Sequence, residues 1–375
     1  MTCVYQNEAQ QSSSHSPLPS HDYALSSLPP PVATNSTIPT SLWSLTSDQT
    51  LLGPGVINVL HLELFDHALG VANTFVCSGV SKEECQMAIR DIVQRALSTP
   101  YLICEILSLS ATHLSSIRPS QSVFLRYQAT ELQTSALSIF NAEIQIASVE
   151  DASSVDYFSR FVFSSLLLYH MLHDVIAYRD DDFTVFIENF VRYLHVTKGV
   201  TLNIHGYWDL LFETSLKPFL QDGEKNLRGG ADQRIPECEK LEGLLKTADL
   251  GPASSKAYEN ALSGLKQAYH GHRRLVDADL PPDSSSSLSH GRSIIYSWPI
   301  IVSKEYTELV LQKRPEALAI LAHYGILLLR YRDSWTVGDG GEYIIEAVTR
   351  YLGPYWEEWL ASPNEELKKD KCLQK

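Results

Sequence analysis

Between Pro100 and Pro119 the chain reads Tyr101-Leu-Ile-Cys-Glu-Ile-Leu-Ser-Leu-Ser-Ala-Thr-His-Leu114-Ser-Ser-Ile-Arg118. Leu102, Ile103, Ile106, Leu107, Ser110, Ala111 and Leu114 recur at the 3.6-residue period, so one face of a helix is apolar or small along its length. The alternation that a half-buried strand needs is missing here and elsewhere, and no segment repeats at a fixed period. The two prolines bracket the helix.

The same period extends in both directions. Downstream, a long amphipathic helix is predicted from about 123 to 146, its buried stripe carried by Tyr127, Leu132, Ala136, Leu137, Phe140 and Ile144. Helices over 155–177 and 183–198 follow. Phe161 to Met171 is apolar nearly all round and therefore reads as a central helix with neighbours on several sides. Upstream, Ser81-Lys-Glu-Glu84 is a capping-box pattern that opens a helix toward Leu97. Before it, Leu60, Leu64, His67 and Val71 place one stripe on a helix over 56–72.

Beyond the centre, a short helix is predicted over 208–220. Two Gly/Ser/Pro-rich connectors, near 221–235 and 279–292, bracket helices at 236–248 and 255–275 that read as an inserted hairpin. The last block carries helices at 293–311, 315–331 and 342–352, then the aromatic group Tyr355, Trp356 and Trp359. Residues 1–50 are rich in Ser, Pro, Thr and Gln and offer little to bury, so they are expected to be disordered. Residues 363–375 read as a charged tail. The expected fold is all-α, an irregular multi-helix bundle over 51–362 with a disordered N-terminal tail.

Charge and cysteine usage narrow the function classes. Thirty Lys and Arg against 44 Asp and Glu give a net charge of −14, and no Lys or Arg precedes Lys82. A chain so charged repels phosphate backbones and anionic lipid surfaces unless a basic patch compensates, and none is evident. The six cysteines, at 3, 77, 85, 104, 238 and 372, lack the close pairs of a zinc module and read as reduced thiols. With neither an N-terminal export signal nor a run of about 20 apolar residues, neither secretion nor membrane insertion is expected.

Few residues suggest chemistry. His170-Met-Leu-His173-Asp174 sets two imidazoles one turn apart beside a carboxylate, but the glutamate of an H-E-x-x-H zinc site is missing. His270 and His272 fare no better. Asp180, Asp181 and Asp182 lack the rest of a calcium loop and suit a solvated helix start. Gly338-Asp-Gly-Gly341 follows a helix and lacks the Lys-Ser/Thr of a phosphate loop. No nucleophile elbow or reactive-cysteine signature occurs. No catalytic residue, metal ligand or cofactor is therefore assigned. The aromatic C-terminal block, including Trp298, Tyr306, His323, Tyr324, Leu327 and Trp335, reads either as ordinary core or as the lining of an apolar ligand pocket.

At this point a family resemblance emerges. Arg314-Pro-Glu-Ala-Leu-Ala-Ile-Leu-Ala-His-Tyr-Gly-Ile-Leu-Leu328, then Trp335, the glycines at 338–341, and Tyr355-Trp-Glu-Glu-Trp-Leu360, resemble the C-terminal signature of the fungal-specific transcription factor domain of zinc-cluster (Zn2Cys6) regulators. The sterol uptake control type is the most similar subgroup. The 101–114 block and the 123–146 helix resemble the family's first helices, so the match runs over roughly 56–360. The resemblance implies an all-helical, often dimeric regulatory domain with a hydrophobic pocket for a sterol. Carried over by position, His323, Tyr324, Leu327 and Trp335 would lie near that pocket, with Gly338, Gly340 and Gly341 as the adjoining loop.

The departure from the family is the N-terminus. Members begin with a six-cysteine, two-zinc cluster and a basic linker, whereas here Cys3 stands alone before Cys77. The chain as given is therefore expected not to bind DNA specifically. The expectation is a nuclear regulator of a fungal metabolic pathway, secondary metabolism included, with a share in the cytoplasm. It would act through a sterol-like ligand, other transcription regulators or a second copy of itself. A helical small-molecule or lipid binder without a transcriptional role is the alternative, followed by an enzyme using His170, His173 and Asp174.

Overall fold

The computed structural model describes residues 58–76, 80–147, 156–204, 207–227, 234–277 and 292–374. The N-terminal tail and nearly all of the 279–292 connector lie outside these residues, as does 228–233 of the other connector. The described residues form fifteen α-helices and no strand, which is the all-α class read from the sequence. In chain order these are α1 (Val59–Val76), α2 (Lys82–Ala96), α3 (Pro100–Ile117), α4 (Ser122–Ala147), α5 (Tyr157–Ala177), α6 (Phe183–Ile204), α7 (Trp208–Leu211), α8 (Lys217–Leu227), α9 (Pro236–Thr247), α10 (Pro252–Asp277), α11 (Arg292–Ile301), α12 (Lys304–Leu311), α13 (Pro315–Arg330), α14 (Gly340–Leu352) and α15 (Ala361–Leu373).

Local chemistry sets many of the boundaries. The capping box is present: Glu84 N–H donates to Ser81 Oγ, and Ser81 N–H donates to Glu84 Oε2 at 2.9 Å. Asp156 caps α5 and Ser303 caps α12 through their side chains. Pro100, Pro236 and Pro315 occupy the first turns of their helices, where no N–H partner is lost.

Among the described residues three apolar clusters form the interior. The largest joins the second half of α5 to α6 and to α9–α15, and α13 runs through it, buried from Ala317 to Leu329. The second gathers α2, α3, α4, the first half of α5 and α8 around Tyr101, Phe140 and Phe163. Its rings meet edge-on or tilted with centroids 4.4–5.2 Å apart. The third packs Leu64 of α1 against α3 and α4. α5 contributes Phe163 and Leu167 to one core and Leu172 and Ile176 to another.

Several expectations need correction. The buried stripe of α4 runs Leu125, Ala129, Leu132, Ala136 and Phe140, whereas Tyr127 is exposed. The predicted helix over 293–311 breaks in two, with Pro299 inside α11 and a fresh cap at Ser303. The 208–220 segment likewise splits into α7 and the start of α8. The expected inserted hairpin is integral to the main core. Trp298 Nε1 donates to the Ala261 carbonyl at 2.8 Å, and α10 passes so close to α11 that a Cβ on Gly264 would collide with Ile301.

The segment read as a charged tail is helix α15. It buries Leu367, and Lys371 bridges to Glu346 at 2.6 Å while Asp370 pairs with Arg332. Finally, Cys85 is disulfide-bonded, against the reading of six reduced thiols, because pairing depends on proximity in space that spacing does not reveal. Cys104, Cys238 and Cys372 are free.

Candidate functional site

Two features outside ordinary packing stand out among the described residues: a buried polar cluster around His170 and an apolar cavity on the opposite side of α5.

The polar cluster is built on α3, α4 and α5. Thr112 Oγ1 donates to the Ser108 carbonyl (3.1 Å), which leaves it an acceptor for the Nε2–H of His170 at 2.8 Å. Nδ1 of His170 lies 3.2 Å from Glu105 Oε1, with the Gln133 amide also beside it. Asp174 Oδ2 is 3.7 Å from Nε2. Burial alone would lower the His170 pKa, but Asp174 and Glu105 outweigh it and hold it above its ordinary value.

His173, one turn on, behaves oppositely. Burial and the neighbouring His170 pull it down to about 4. Its ring packs 4.8 Å from Trp335, which also receives His113 at 4.9 Å, and His113 Nδ1 in turn hydrogen-bonds His67 Nε2 at 2.9 Å. No group of three or more His, Cys, Asp or Glu among the described residues is arranged to hold a metal. His272 hydrogen-bonds the Tyr331 hydroxyl at 2.9 Å. The sequence reading missed Glu105, although an acid inside the apolar face of α3 was a visible signal.

Of the residues carried over by resemblance, His323, Tyr324, Leu327, Gly340 and Gly341 are buried, whereas Trp335 and Gly338 are partly exposed. Nδ1–H of His323 donates to the Ala319 carbonyl at 2.8 Å, and the His323 carbonyl accepts from Tyr269. Burial lowers the His323 pKa to about 4. Tyr324 donates to the Ile295 carbonyl at 2.7 Å and stacks on Trp298 with centroids 4.4 Å apart. Leu327 is fully buried. Gly338, at φ +49°, makes the turn, and Arg179 clamps Asp339 with two bonds of 2.8 and 2.6 Å. A Cβ on Gly340 would strike Ile176, and one on Gly341 would strike the Leu329 backbone and the Gly325 carbonyl. These glycines let α14 lie against α13 and α5; none of the seven residues lines the cavity described next.

That cavity, of about 300 Å³ and open to solvent on one side, is lined by residues of α1, α2, α3, α5, α8 and α11. Its walls are almost wholly aliphatic and aromatic. Tyr169 of α5 and Tyr296 of α11 meet at one side with ring centroids 4.2 Å apart. Such a volume lies within the range of small-molecule pockets, about 300–1,000 Å³.

Comparison with known proteins adds one link. Over 321 residues, 80% of this chain, the sequence is 25% identical to a Zn(2)-C6 fungal-type transcription factor of Gibberella zeae. The aligned region covers 60% of that relative, so the chain spans less than two thirds of its length. This supports the resemblance at the level of zinc-cluster transcription factors in general. No protein-family model matches the chain, and no solved structure matches it. No described helix is long and apolar enough to cross a membrane.

Proposed function

We propose that this chain is the regulatory part of a fungal transcription regulator. The observation that carries the reading is the similarity to the Gibberella zeae transcription factor, which runs through most of the helical body. Regulation passes through protein contacts, with other transcription regulators or a second copy, because a net charge of −14 opposes direct association with a phosphate backbone. The site of action is the nucleus, with a share in the cytoplasm. The signal is an apolar small molecule of sterol-like character tied to a metabolic pathway, secondary metabolism included, and the apolar cavity supports this part of the reading.

The test is a reporter assay. The full chain, fused to a heterologous DNA-binding domain, changes transcription from the matching promoter several-fold relative to that domain alone. An unchanged reporter from a stably expressed fusion would reject the transcriptional reading. A second reading, a small-molecule carrier without a transcriptional role, is favoured by the cavity and requires a silent fusion and exclusion from the nucleus. No catalytic role is proposed for His170, His173 and Asp174, since the ring nitrogens of His170 are committed to neighbours within the fold.

A further inference from the structure

We infer that the cavity between α1, α2, α3, α5, α8 and α11 is a binding site for an uncharged apolar small molecule, and that it discriminates against carboxylates of the same shape. The inference deepens the ligand-sensing part of the proposed function and rests on it. Three observations carry it.

The first is the space itself. Packed helices leave few hollows larger than a water molecule between them, yet six helices here line a half-open hollow of about 300 Å³. Small residues face it from opposite sides: Ala68 and Ala72 on α1, and Gly223 on α8, beside whose position a Cβ would meet nothing within 4 Å.

The second is how the polar groups in the wall are used. Ser110 Oγ donates to the Leu64 carbonyl (2.6 Å), Ser165 Oγ to the Phe161 carbonyl (2.9 Å), and the Tyr296 hydroxyl to Thr336 Oγ1 (3.0 Å). Their protons serve the fold and are not offered to a guest.

The third is charge. Among the described residues no Lys, Arg or His lines the cavity, and the acidic side chain at its wall is Asp222. Lys198 is engaged with the Ile300 carbonyl and is not part of the wall. An anionic guest would lose hydration against this wall with no cation of the described residues to replace it. A neutral guest avoids that cost and gains from burying apolar surface.

The experiment compares two fluorescent probes that share one hydrocarbon chain, cis-parinaric acid and its methyl ester, titrated into the full-length protein at pH 8. The ester is expected to bind saturably at one per chain and at least tenfold more tightly than the acid. Ala68→Phe and Gly223→Phe fill the space from different helices. Each is expected to weaken the ester at least tenfold while the helical circular dichroism stays unchanged.

Three results would overturn the inference: no saturable ester binding, acid binding as tightly as the ester, or ester binding unaffected in both filled variants when both are folded. The last would place an apolar ligand elsewhere and leave the sensing function standing. A silent reporter fusion with intact ester binding would reject transcription and leave the cavity assignment in place.

Discussion

Glu105 on α3 and His170 on α5 meet in a completely buried contact, Oε1 to Nδ1, at 3.2 Å, with the Glu105 side chain 0% exposed. Two helices that could pack through apolar faces alone are joined here by a buried carboxyl group and an imidazole. Removing one member of such a pair strands the other. Glu105→Ala is therefore expected to cost on the order of 3 kcal/mol in urea denaturation, with Glu105→Gln clearly milder because it keeps the shape and a hydrogen bond. Equal losses would mean that the carboxyl group itself, which both variants remove, is what the site needs, and not the volume that Gln keeps.

The histidines give the fold an opposed pair of pH dependences. Burial lowers His173 and His323 to about 4, from an ordinary value of 6.5. Unfolded chains then bind more protons than folded ones between those values, so stability falls as pH drops from about 6.5 toward 4, by on the order of 2 kcal/mol for each residue. His170 is held above its ordinary value, so its contribution is fully present below about 6.5 and fades as pH rises through its raised pKa. Denaturation midpoints should drop on acidification, and His323→Asn, which can still donate to the Ala319 carbonyl, should flatten part of that slope.

Three glycines, Gly338 just before α14, Gly341 in its first turn and Gly223 in α8, should be sharply unequal in their tolerance. Gly341→Ala drives a methyl group into the Leu329 backbone and is expected to cost about 2–3 kcal/mol. Gly338→Ala meets no neighbour but is strained at φ +49°, for about 1 kcal/mol. Gly223→Ala, in open space inside α8, should be neutral or slightly stabilising. Thermal melts of the three variants check the order.

Truncation after Ser362 removes most of α15 and with it the burial of Leu367 and the pairing of Asp370 with Arg332. The melting temperature should fall by several degrees. A truncated chain that melts like the full one would show that the helix is peripheral after all.

How much of this was visible beforehand differs from element to element. α3 was legible because its small and apolar residues hold one period between two prolines, and α2 because Ser81 and Glu84 fix its first turn. The face of α4 was misjudged at Tyr127, since a tyrosine serves equally well as a core ring or as an exposed amphipathic one. Pro299 inside α11 and the docking of α15 depend on partners distant in sequence. The aromatic block around Tyr324 and Trp298 reads from the sequence either as core or as pocket lining, because composition does not distinguish a filled interior from a lined one. The cavity left no motif because six helices each contribute only a few ordinary apolar residues to it.

The presence of α5 in two cores has a practical side. A cut between residues 157 and 177 leaves each fragment with half of a shared rod, and a cut on either side of it leaves one fragment without the residues that close its interior. Limited proteolysis should therefore release no durable half-molecule, and an expression fragment meant to fold has to carry both of the cores that α5 joins. Sequence change is bound by the same arrangement: a residue swapped on one side of α5 must be accommodated by neighbours more than a hundred positions away on the other, so the two ends of this chain are expected to drift together, not separately.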